Sequence, residues 1–344
     1  MDTLPSYVLI EITWNCNLSC RMCPRNICGY QMGTRTNMTY EDFIKIMDKI
    51  PSAKTVNMAC CGEPLINPDF FKMIEYCAQN SKSVLMTTNG TMLTKENIDK
   101  IPSNLHLSMH VSIDSPVPGI YKELRGYNLE KVVENLKYLR RKRPDINLVI
   151  QPLLMKQTLK DIKNIIPLAR NLTARLMPIY PIAFSKEDEE RYVPFDMVDF
   201  NEKVIELHTL AAKFGVNVLP KPPQAFRKQC RDPWLGPTIS IKGEIFPCCF
   251  SYEARSYDKT PDTWDEYYKG HCTKMPQGNY ILGNIFKDDY AKLWNSDEYN
   301  KIRNTILEAE RDVPKDYSKY RNSMELKNRF DYCKVCMWSW NQAC

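Results

Sequence analysis

Strand-like and helix-like patterns alternate along the first 220 residues, and this alternation constrains the fold more than any other feature of the sequence. Apolar runs such as YVLIEIT at 7–13 and SVLMTTN at 83–89 have the length and composition of buried strands. Segments with apolar residues at helical spacing separate them, beginning with TYEDFIKIMDKI at 39–50. We expect strands at 7–13, 54–60, 83–89, 105–113, 146–154 and 174–180, and helices at 39–50, 68–80, 94–101, 128–142, 159–171 and 197–214.

Strands separated by single helices predict a parallel sheet with right-handed crossovers. Six strand–helix units suit either an open doubly wound sheet or an incomplete barrel, and both place functional residues at the carboxyl ends of the strands. The 344 residues are enough for one large domain and a smaller one. We expect an α/β domain over 1–220, a proline-rich linker over 221–229 and a cysteine-rich domain over 230–344.

Charge and hydrophobicity exclude several classes of partner. The net charge of +6 is spread along the chain, and its densest basic run, at 139–144, is typical of a solvated helix end, so we expect no nucleic acid partner. No stretch of 18 apolar residues occurs, so we expect no membrane partner. The N-terminus lacks the basic region of a signal peptide, which predicts a cytoplasmic protein whose 14 cysteines are reduced and available to metals.

Three cysteines follow the first strand within eight residues, as Cys16, Cys20 and Cys23 in a C-x3-C-x2-C pattern. Zinc sites favour C-x2-C pairs completed by a second pair. Three thiolates from one loop can instead hold three irons of a cubane cluster and leave the fourth iron open to an outside ligand. An open position indicates a catalytic metal. A zinc loop completed by a distant residue, or incidental buried cysteines, are the weaker alternatives.

The C-x3-C-x2-C motif after the first strand of a six-unit α/β chain resembles the radical S-adenosylmethionine (radical SAM) superfamily. The resemblance covers residues 7–220 and implies a partial (β/α)6 barrel with a [4Fe-4S] cluster on the three cysteines. It also implies that S-adenosylmethionine chelates the fourth iron. An external one-electron reductant of the flavodoxin or ferredoxin type would then drive its cleavage to a 5′-deoxyadenosyl radical, which abstracts a hydrogen atom from the substrate.

Segments at three further strand ends resemble the family's cofactor-binding elements: CGEP at 61–64, TTNGT at 87–91, which resembles the segment lining the cofactor, and SIDSP at 112–116. CGEP at 61–64 resembles the element that receives the S-adenosylmethionine amino group, where Glu63 can accept hydrogen bonds. SIDSP at 112–116 resembles the segment whose serine binds the ribose of S-adenosylmethionine. Arg125 is expected to bind the carboxylate of S-adenosylmethionine, because its planar guanidinium can donate two parallel hydrogen bonds. Met22 stands where the family often has an aromatic residue. The residues expected to bind S-adenosylmethionine are Met22, Gly62, Glu63, Pro64, Asn89, Ser112, Asp114 and Arg125.

A second set of cysteines lies in the C-terminal third of the chain. The stretch TISIKGEIFPC alternates as a hairpin around Lys242–Gly243, which would bring Cys230 and Cys248 together. The late C-x2-C pair, Cys333 and Cys336, can complete four thiolates. Spacing alone leaves zinc and an iron–sulfur cluster equally compatible with this set.

The spacing of the late cysteines resembles the Twitch/SPASM extension of radical SAM enzymes, a small cysteine-rich domain with a β-hairpin and a helix. The resemblance implies one auxiliary [4Fe-4S] cluster with the ligands Cys230, Cys248, Cys333 and Cys336. Three further cysteines of this region are not among these four ligands, so a degenerate second cluster is kept as an alternative. They are Cys249, Cys272 and Cys344. A helical pattern at 282–303 includes Trp294, which we expect in the core.

Relatives with one auxiliary cluster include aminocyclitol dehydrogenases. This implies an oxidoreductase that dehydrogenates a small sugar-type molecule, with the auxiliary cluster as electron acceptor. Gln151, Arg175 and Tyr180 are the catalytic candidates. The alternative is a peptide maturase that crosslinks or epimerises a ribosomal peptide, with Cys249 as a hydrogen donor for epimerisation. We expect no room before the first strand for the peptide-recognition domain that such enzymes often carry. The third and least favoured hypothesis is a non-catalytic protein that binds an iron–sulfur cluster or zinc.

Overall fold

The structure is a computed structural model that describes residues 4–23, 25, 36–59, 62–179, 181, 190–192, 197–219, 231–249, 251 and 281–311. The strands are β1 (Tyr7–Ile10), β2 (Thr55–Asn57), β3 (Ser83–Thr88), β4 (Leu107–Val111), β5 (Asn147–Ile150), β6 (Arg175–Leu176), β7 (Thr238–Ile239), β8 (Glu244–Phe246) and β9 (Gly283–Asn284). The helices are α1 (Tyr40–Lys49), α2 (Phe70–Gln79), α3 (Lys95–Asp99), α4 (Pro118–Arg125), α5 (Leu129–Lys142), α6 (Lys156–Leu159), α7 (Ile165–Asn171), α8 (Met197–Lys213), α9 (Asp232–Leu235), α10 (Tyr290–Trp294) and α11 (Asp297–Arg311).

The chain divides into two compact units. The large unit consists of Glu11–Tyr40 and Lys54–Pro222, and the small unit of Met1–Ile10, Glu41–Ala53 and Pro223–Cys344. The expected linker at 221–229 lies outside the described residues. No helix among the described residues is long and apolar enough to cross a membrane.

The large unit is built on five parallel strands in the order β6-β5-β4-β3-β2. Helices separate consecutive strands along the chain, as the sequence predicted. Within the described residues of this unit the strands form an open parallel sheet and not a closed barrel.

The two faces of this sheet differ in polarity because side chains alternate along each strand. One face is apolar and buried, with Val84 and Met86 on β3, Met109 and Val111 on β4, and Ile150 on β5. Full burial of each such side chain contributes about 1.5–3 kcal/mol. The other face, called the polar face below, carries hydrogen-bonding groups; its polar residues are Asn57, Thr87, Ser108, His110, Ser112, Asn147 and Gln151.

Three helical regions differ from the sequence prediction. The helical pattern at 282–303 is divided into β9, α10 and the start of α11. The expected helix at 159–171 is broken into α6, a 3₁₀ turn at Ile162–Asn164, and α7. Pro167 explains the restart, since a proline ring clashes with the carbonyl four residues earlier in a continuous helix. Helix α4 was not expected, and it ends at Gly126, whose positive φ of 72° suits a helix C-terminus.

The small unit contains the predicted hairpin. Strand β7 pairs antiparallel with β8, with Thr238 opposite Phe246, and the turn between them closes through a 2.8 Å bond from Gly243 N to Ser240 O. Gly243 has φ 80°, which glycine adopts without strain. Strand β7 also pairs in parallel with β1, and β8 pairs antiparallel with β9. Trp294 is buried, as predicted.

Candidate functional site

The three cysteines of the first motif lie on one loop after β1. Cys20 is buried, while Cys16 and Cys23 are partly exposed. All three contact a single apolar cluster, whose buried members are Leu18, Cys20, Met22, Leu124, Met155 and Tyr192. The amide of Cys23 donates to the carbonyl of Cys20 at 3.1 Å, which makes this end of the loop a tight turn. The loop thus presents three sulfur ligands from one short segment.

No three His, Cys, Asp or Glu side chains in the described part of the chain converge on a position for a single metal ion. A cubane cluster needs a wider spacing, because its thiolates bind three different irons.

Burial favours the protonated thiols of Cys16 and Cys20 when they hold no metal. It raises the pKa of Cys20 to about 11, although the nearby charge of Arg125 opposes the rise. The pKa of Cys16 is also raised, chiefly by burial. Iron binding must release these protons, so the cationic irons supply the stabilisation that the buried thiolates lack.

A buried ion pair stands beside Cys20. The guanidinium of Arg125 donates to Asp114 from Nε to Oδ2 at 2.6 Å and from Nη2 to Oδ1 at 3.1 Å. Its third nitrogen, Nη1, lies 4.0 Å from the Cys20 sulfur. The amide of Leu153 also donates to Asp114 at 3.0 Å, so the carboxylate orients Arg125 and is itself held by the loop after β5.

Gly62 allows the loop after β2 to touch the start of the cysteine loop. A Cβ at this position would lie 2.4 Å from the Thr13 carbonyl oxygen and 2.8 Å from that of Asn15, which no side chain tolerates. The adjacent amide of Glu63 donates to the Asn15 carbonyl at 2.8 Å. Close backbone approach, the property expected of this glycine, is therefore present and directed at the cysteine loop.

The Glu63 carboxylate is turned inward, with only 1% of the residue exposed. It accepts from the Thr88 hydroxyl at 2.7 Å and from the Asn89 amide at 2.8 Å, both at the carboxyl end of β3. Burial, which outweighs these bonds, raises its pKa to about 7. The side chain thus joins the segment after β2 to the carboxyl end of β3.

Asn89 contacts the cysteine loop directly. Its Nδ2 donates to Asn17 Oδ1 at 3.0 Å and lies 3.7 Å from the Cys16 sulfur. Its Oδ1 accepts from the hydroxyl of Thr91 at 2.6 Å, and Asn17 donates back to that hydroxyl at 2.7 Å. The three residues form a closed polar network that orders the loop around Cys16.

The remaining predicted cofactor residues are Met22, Pro64 and Ser112. The Met22 side chain is buried in the apolar cluster, and Pro64 is buried at the start of a 3₁₀ turn capped by Glu63. Ser112 is partly exposed on the polar face, where its amide donates to the Thr88 carbonyl at 3.0 Å. Their roles toward S-adenosylmethionine stay predictions.

Two of the three catalytic candidates lie within the described residues. Gln151 directly follows β5 and is partly exposed on the polar face. Its amide donates to the Val111 carbonyl of β4, which places it opposite Ser112. Arg175 is exposed at the first position of β6, opposite Val149. Tyr180 lies outside the described residues. Their catalytic roles stay predictions.

Cys248 is the one predicted auxiliary-cluster ligand within the described residues, since Cys230, Cys333 and Cys336 lie outside them. Its thiol is buried after β8. The Ser251 amide donates to the Cys248 sulfur at 3.3 Å, and the Ser251 hydroxyl lies 3.4 Å from it. Hydrogen bonds to sulfur stabilise a metal-bound thiolate, so the position fits a cluster ligand. Cys249 is partly exposed, and Cys272 and Cys344 lie outside the described residues.

Three positioning residues escaped the sequence analysis. Asn17 and Thr91 complete the network of Asn89, and Arg25 donates to the Leu18 carbonyl at 2.8 Å and the Trp14 carbonyl at 3.3 Å. Asn17 lies inside the cysteine motif and Thr91 beside Asn89, so proximity to predicted ligands was the available signal.

Two family models match the chain: the Radical SAM superfamily over residues 10–169 and the SPASM iron–sulfur cluster-binding domain over residues 230–337. Together with the fold and the three-cysteine loop, they establish that the chain is a radical SAM protein with a C-terminal SPASM-type domain. Its cofactors are accordingly S-adenosylmethionine, a [4Fe-4S] cluster in the first domain and an iron–sulfur cluster in the second.

Similar proteins span most of the chain. The tungsten-containing aldehyde ferredoxin oxidoreductase cofactor-modifying protein of Pyrococcus furiosus is 25% identical over 86% of this chain and 83% of its own. The antilisterial bacteriocin subtilosin biosynthesis protein AlbA of Bacillus subtilis is 21% identical over 98% of this chain and 72% of its own. Streptococcus suis SuiB bound to S-adenosylmethionine has the same fold, with a TM-score of 0.67 and 15% identity over 87% of this chain and 68% of its own.

Proposed function

We propose that this radical SAM enzyme removes two electrons from an uncharged, hydrogen-bonding organic substrate. When bound and given one electron by an external reductant, the first cluster and S-adenosylmethionine would supply a 5′-deoxyadenosyl radical, which takes one hydrogen atom from a substrate C–H bond. The substrate would then lose one proton and one electron, and the SPASM-domain cluster, held in part by Cys248, would be the acceptor of that electron. The products are methionine, 5′-deoxyadenosine and a substrate that is two hydrogens poorer.

The polar face carries this proposal. Ser112 and Gln151 lie at the carboxyl ends of β4 and β5. Asn89 lies at the same level after β3, and its side chain contacts the Cys16 sulfur. His110 lies one layer below, opposite Thr87 on β3 and Val149 on β5. These hydroxyl, amide and imidazole groups match a substrate rich in hydroxyl or amide groups.

The charge state of the polar face supports an uncharged substrate at its centre. Burial lowers the pKa of His110 to about 4, so the imidazole is neutral near pH 7 and can both donate and accept hydrogen bonds. Among the described residues of β3 to β6 on this side, Arg175 carries the one formal charge, and it lies at the β6 edge. An anionic end of the substrate would be placed at that edge.

The chain's own residues prepare this reaction by holding the cysteine loop still. Glu63 joins the ends of β2 and β3, and Asn89 ties β3 to the loop beside Cys16. Arg125 places a cation beside Cys20, which favours anionic groups there, including a carboxylate of S-adenosylmethionine.

Anaerobic incubation with dithionite, S-adenosylmethionine and a metabolite extract tests the proposal. We expect 5′-deoxyadenosine in proportion to a product 2 Da lighter than its substrate. The matched control is the protein with Cys16, Cys20 and Cys23 all changed to alanine. A product of unchanged mass that carries solvent deuterium would contradict oxidation and indicate epimerisation.

Peptide modification is the second candidate, because AlbA, named for bacteriocin biosynthesis, aligns over 98% of this chain. Amide groups of a peptide would suit the same polar face. Incubation with a short peptide encoded beside this gene distinguishes the two candidates. A mass change on the peptide supports peptide modification, and a change confined to the metabolite extract opposes it.

A further inference from the structure

The side-chain amide of Asn89 is fixed in one orientation beside the cysteine loop. Its Oδ1 accepts from the backbone amide of Thr91 at 2.9 Å and from the Thr91 hydroxyl at 2.6 Å. A backbone N–H can only donate a hydrogen bond, so the atom of Asn89 that faces Thr91 must be the oxygen. The Nδ2 group of Asn89 therefore faces the other side, where Asn17 and Cys16 lie.

The Nδ2 group of Asn89 has two hydrogens and two partners. It donates to Asn17 Oδ1 at 3.0 Å and to the Cys16 sulfur at 3.7 Å. Asn17 in turn donates from its own Nδ2 to the Thr91 hydroxyl at 2.7 Å, which closes a ring of hydrogen bonds. Asn89 and Thr91 are both buried, so water competes little for these contacts.

The backbone around Asn89 is also held on two sides. The Asn89 amide donates to Glu63 Oε2 at 2.8 Å, and the carbonyl of Gly90 accepts from Asn135 Nδ2 on α5 at 3.1 Å. Both the main chain and the side chain of Asn89 are thus fixed before any cofactor binds. The amide nitrogen next to Cys16 is therefore placed by the fold.

We propose that Asn89 raises the reduction potential of the first cluster by donating a hydrogen bond to the sulfur of Cys16, with Asn17 and Thr91 as its positioning residues. Cys16 is an expected ligand of that cluster. A hydrogen bond to a ligand sulfur stabilises the reduced, more negative cluster, and it is one of the factors that set the potential of iron–sulfur clusters. With Asn89 in place, the first cluster accepts its electron at a less negative potential.

An anaerobic potentiometric titration of the full-length chain, followed by electron paramagnetic resonance, tests the proposal. The chain with Cys16, Cys20 and Cys23 changed to alanine reports the SPASM-domain cluster alone, and its curve is subtracted. We expect Asn89→Leu to lower the midpoint potential of the first cluster. The ratio of oxidised to reduced cluster should change about tenfold, which is ~59 mV for one electron.

Asn135→Leu is the matched control. It removes an amide donor of the same kind from the same segment, at the Gly90 carbonyl, without removing a bond to sulfur. We expect the parental potential in this variant. An unchanged potential in Asn89→Leu that retains the first cluster, or equal shifts in the two leucine variants, would overturn the proposal.

Asn89→Asp is the second variant, and it decides the question if Asn89→Leu holds no first cluster. It keeps the shape of the side chain and the oxygen that binds Thr91, but it replaces the donor by an acceptor. We expect a lower potential than in Asn135→Asp, which adds the same charge to the neighbouring helix. Equal potentials in the two aspartate variants, or loss of the first cluster from Asn89→Asp as well, would overturn the proposal. Because no substrate is present, these results do not depend on the proposed oxidation.

Discussion

Arg125 and Asp114 form a two-bond ion pair next to Cys20, and that pairing leaves one guanidinium nitrogen directed at the cysteine sulfur. Asp114 is fully buried and Arg125 has a side chain that is 13% exposed. The Asp114 carboxylate therefore fixes the position of the Arg125 guanidinium. The positive charge of Arg125 in turn lies beside Cys20, where it favours anionic groups.

Asp114→Asn should destabilise the large unit by about 3–5 kcal/mol, because it leaves a buried guanidinium without its counter-charge. Anaerobic urea unfolding of the full-length chain measures this. Asp145→Asn is the matched control, since Asp145 pairs with Arg143 at 2.7 Å but has a side chain that is 51% exposed. The control should cost less than ~1 kcal/mol. Equal losses in both variants would show that the buried pair has no special role.

Gly62→Ala should disrupt the contact between the loop after β2 and the cysteine loop. The added methyl group would lie 2.4 Å from the Thr13 carbonyl, so backbone must move, at a cost of about 1–3 kcal/mol. Formation of 5′-deoxyadenosine should fall with it, because the cysteine loop shifts. Gly119→Ala, where a Cβ meets nothing within 4 Å, should keep both stability and activity. Parental activity in Gly62→Ala would refute the role of the close approach.

Changing Cys16, Cys20 and Cys23 to alanine should remove one [4Fe-4S] cluster, about 4 irons per chain, and abolish 5′-deoxyadenosine. Iron analysis after anaerobic reconstitution measures the loss. The control is Cys77→Ala, which changes a fully buried cysteine on α2 outside the loop. It should retain the parental iron content. Equal iron in the triple variant and the parent would exclude a cluster at this loop.

Stability should fall as pH rises from 4.5 to 7 through the titration of Glu63. Burial raises its folded-state pKa from 4.5 to about 7, so in this interval the folded protein keeps a proton that the unfolded chain has released. The stabilisation is complete below pH 4.5 and is lost as pH passes 7, with a slope of at most about 1.4 kcal/mol per pH unit.

Glu63→Gln tests this pH dependence, because an amide carries no proton to release. The free energy of unfolding should vary less between pH 5 and pH 8 in the variant than in the parent, as measured by urea unfolding at several pH values. Parallel pH curves for the two proteins would be incompatible with a titrating Glu63.

Sequence patterns predicted the elements whose cause is local. The parallel strands, the hairpin closed by Gly243 and the burial of Trp294 follow from alternation, turn chemistry and apolar spacing. The cysteine loop was also predicted from the sequence, because its three cysteines lie within eight residues of one another. The partners of Glu63 and Arg125 were not, since their side-chain contacts depend on how strand ends meet in three dimensions. The sequence predicts that both face the cofactor; the structure shows which side chains orient them, and their roles toward S-adenosylmethionine stay predictions.

Alternation along β4 also bears on how such an enzyme can diverge. Met109 and Val111 pack the core, while His110 and Ser112 stand on the polar face, so odd and even positions meet different physical constraints. Under the proposed function, substitutions at the even positions would alter substrate preference without opening the core. Deleting a single residue would exchange the two sets and expose the core. Divergence in this strand should therefore proceed by replacement, while changes in length accumulate in the loops.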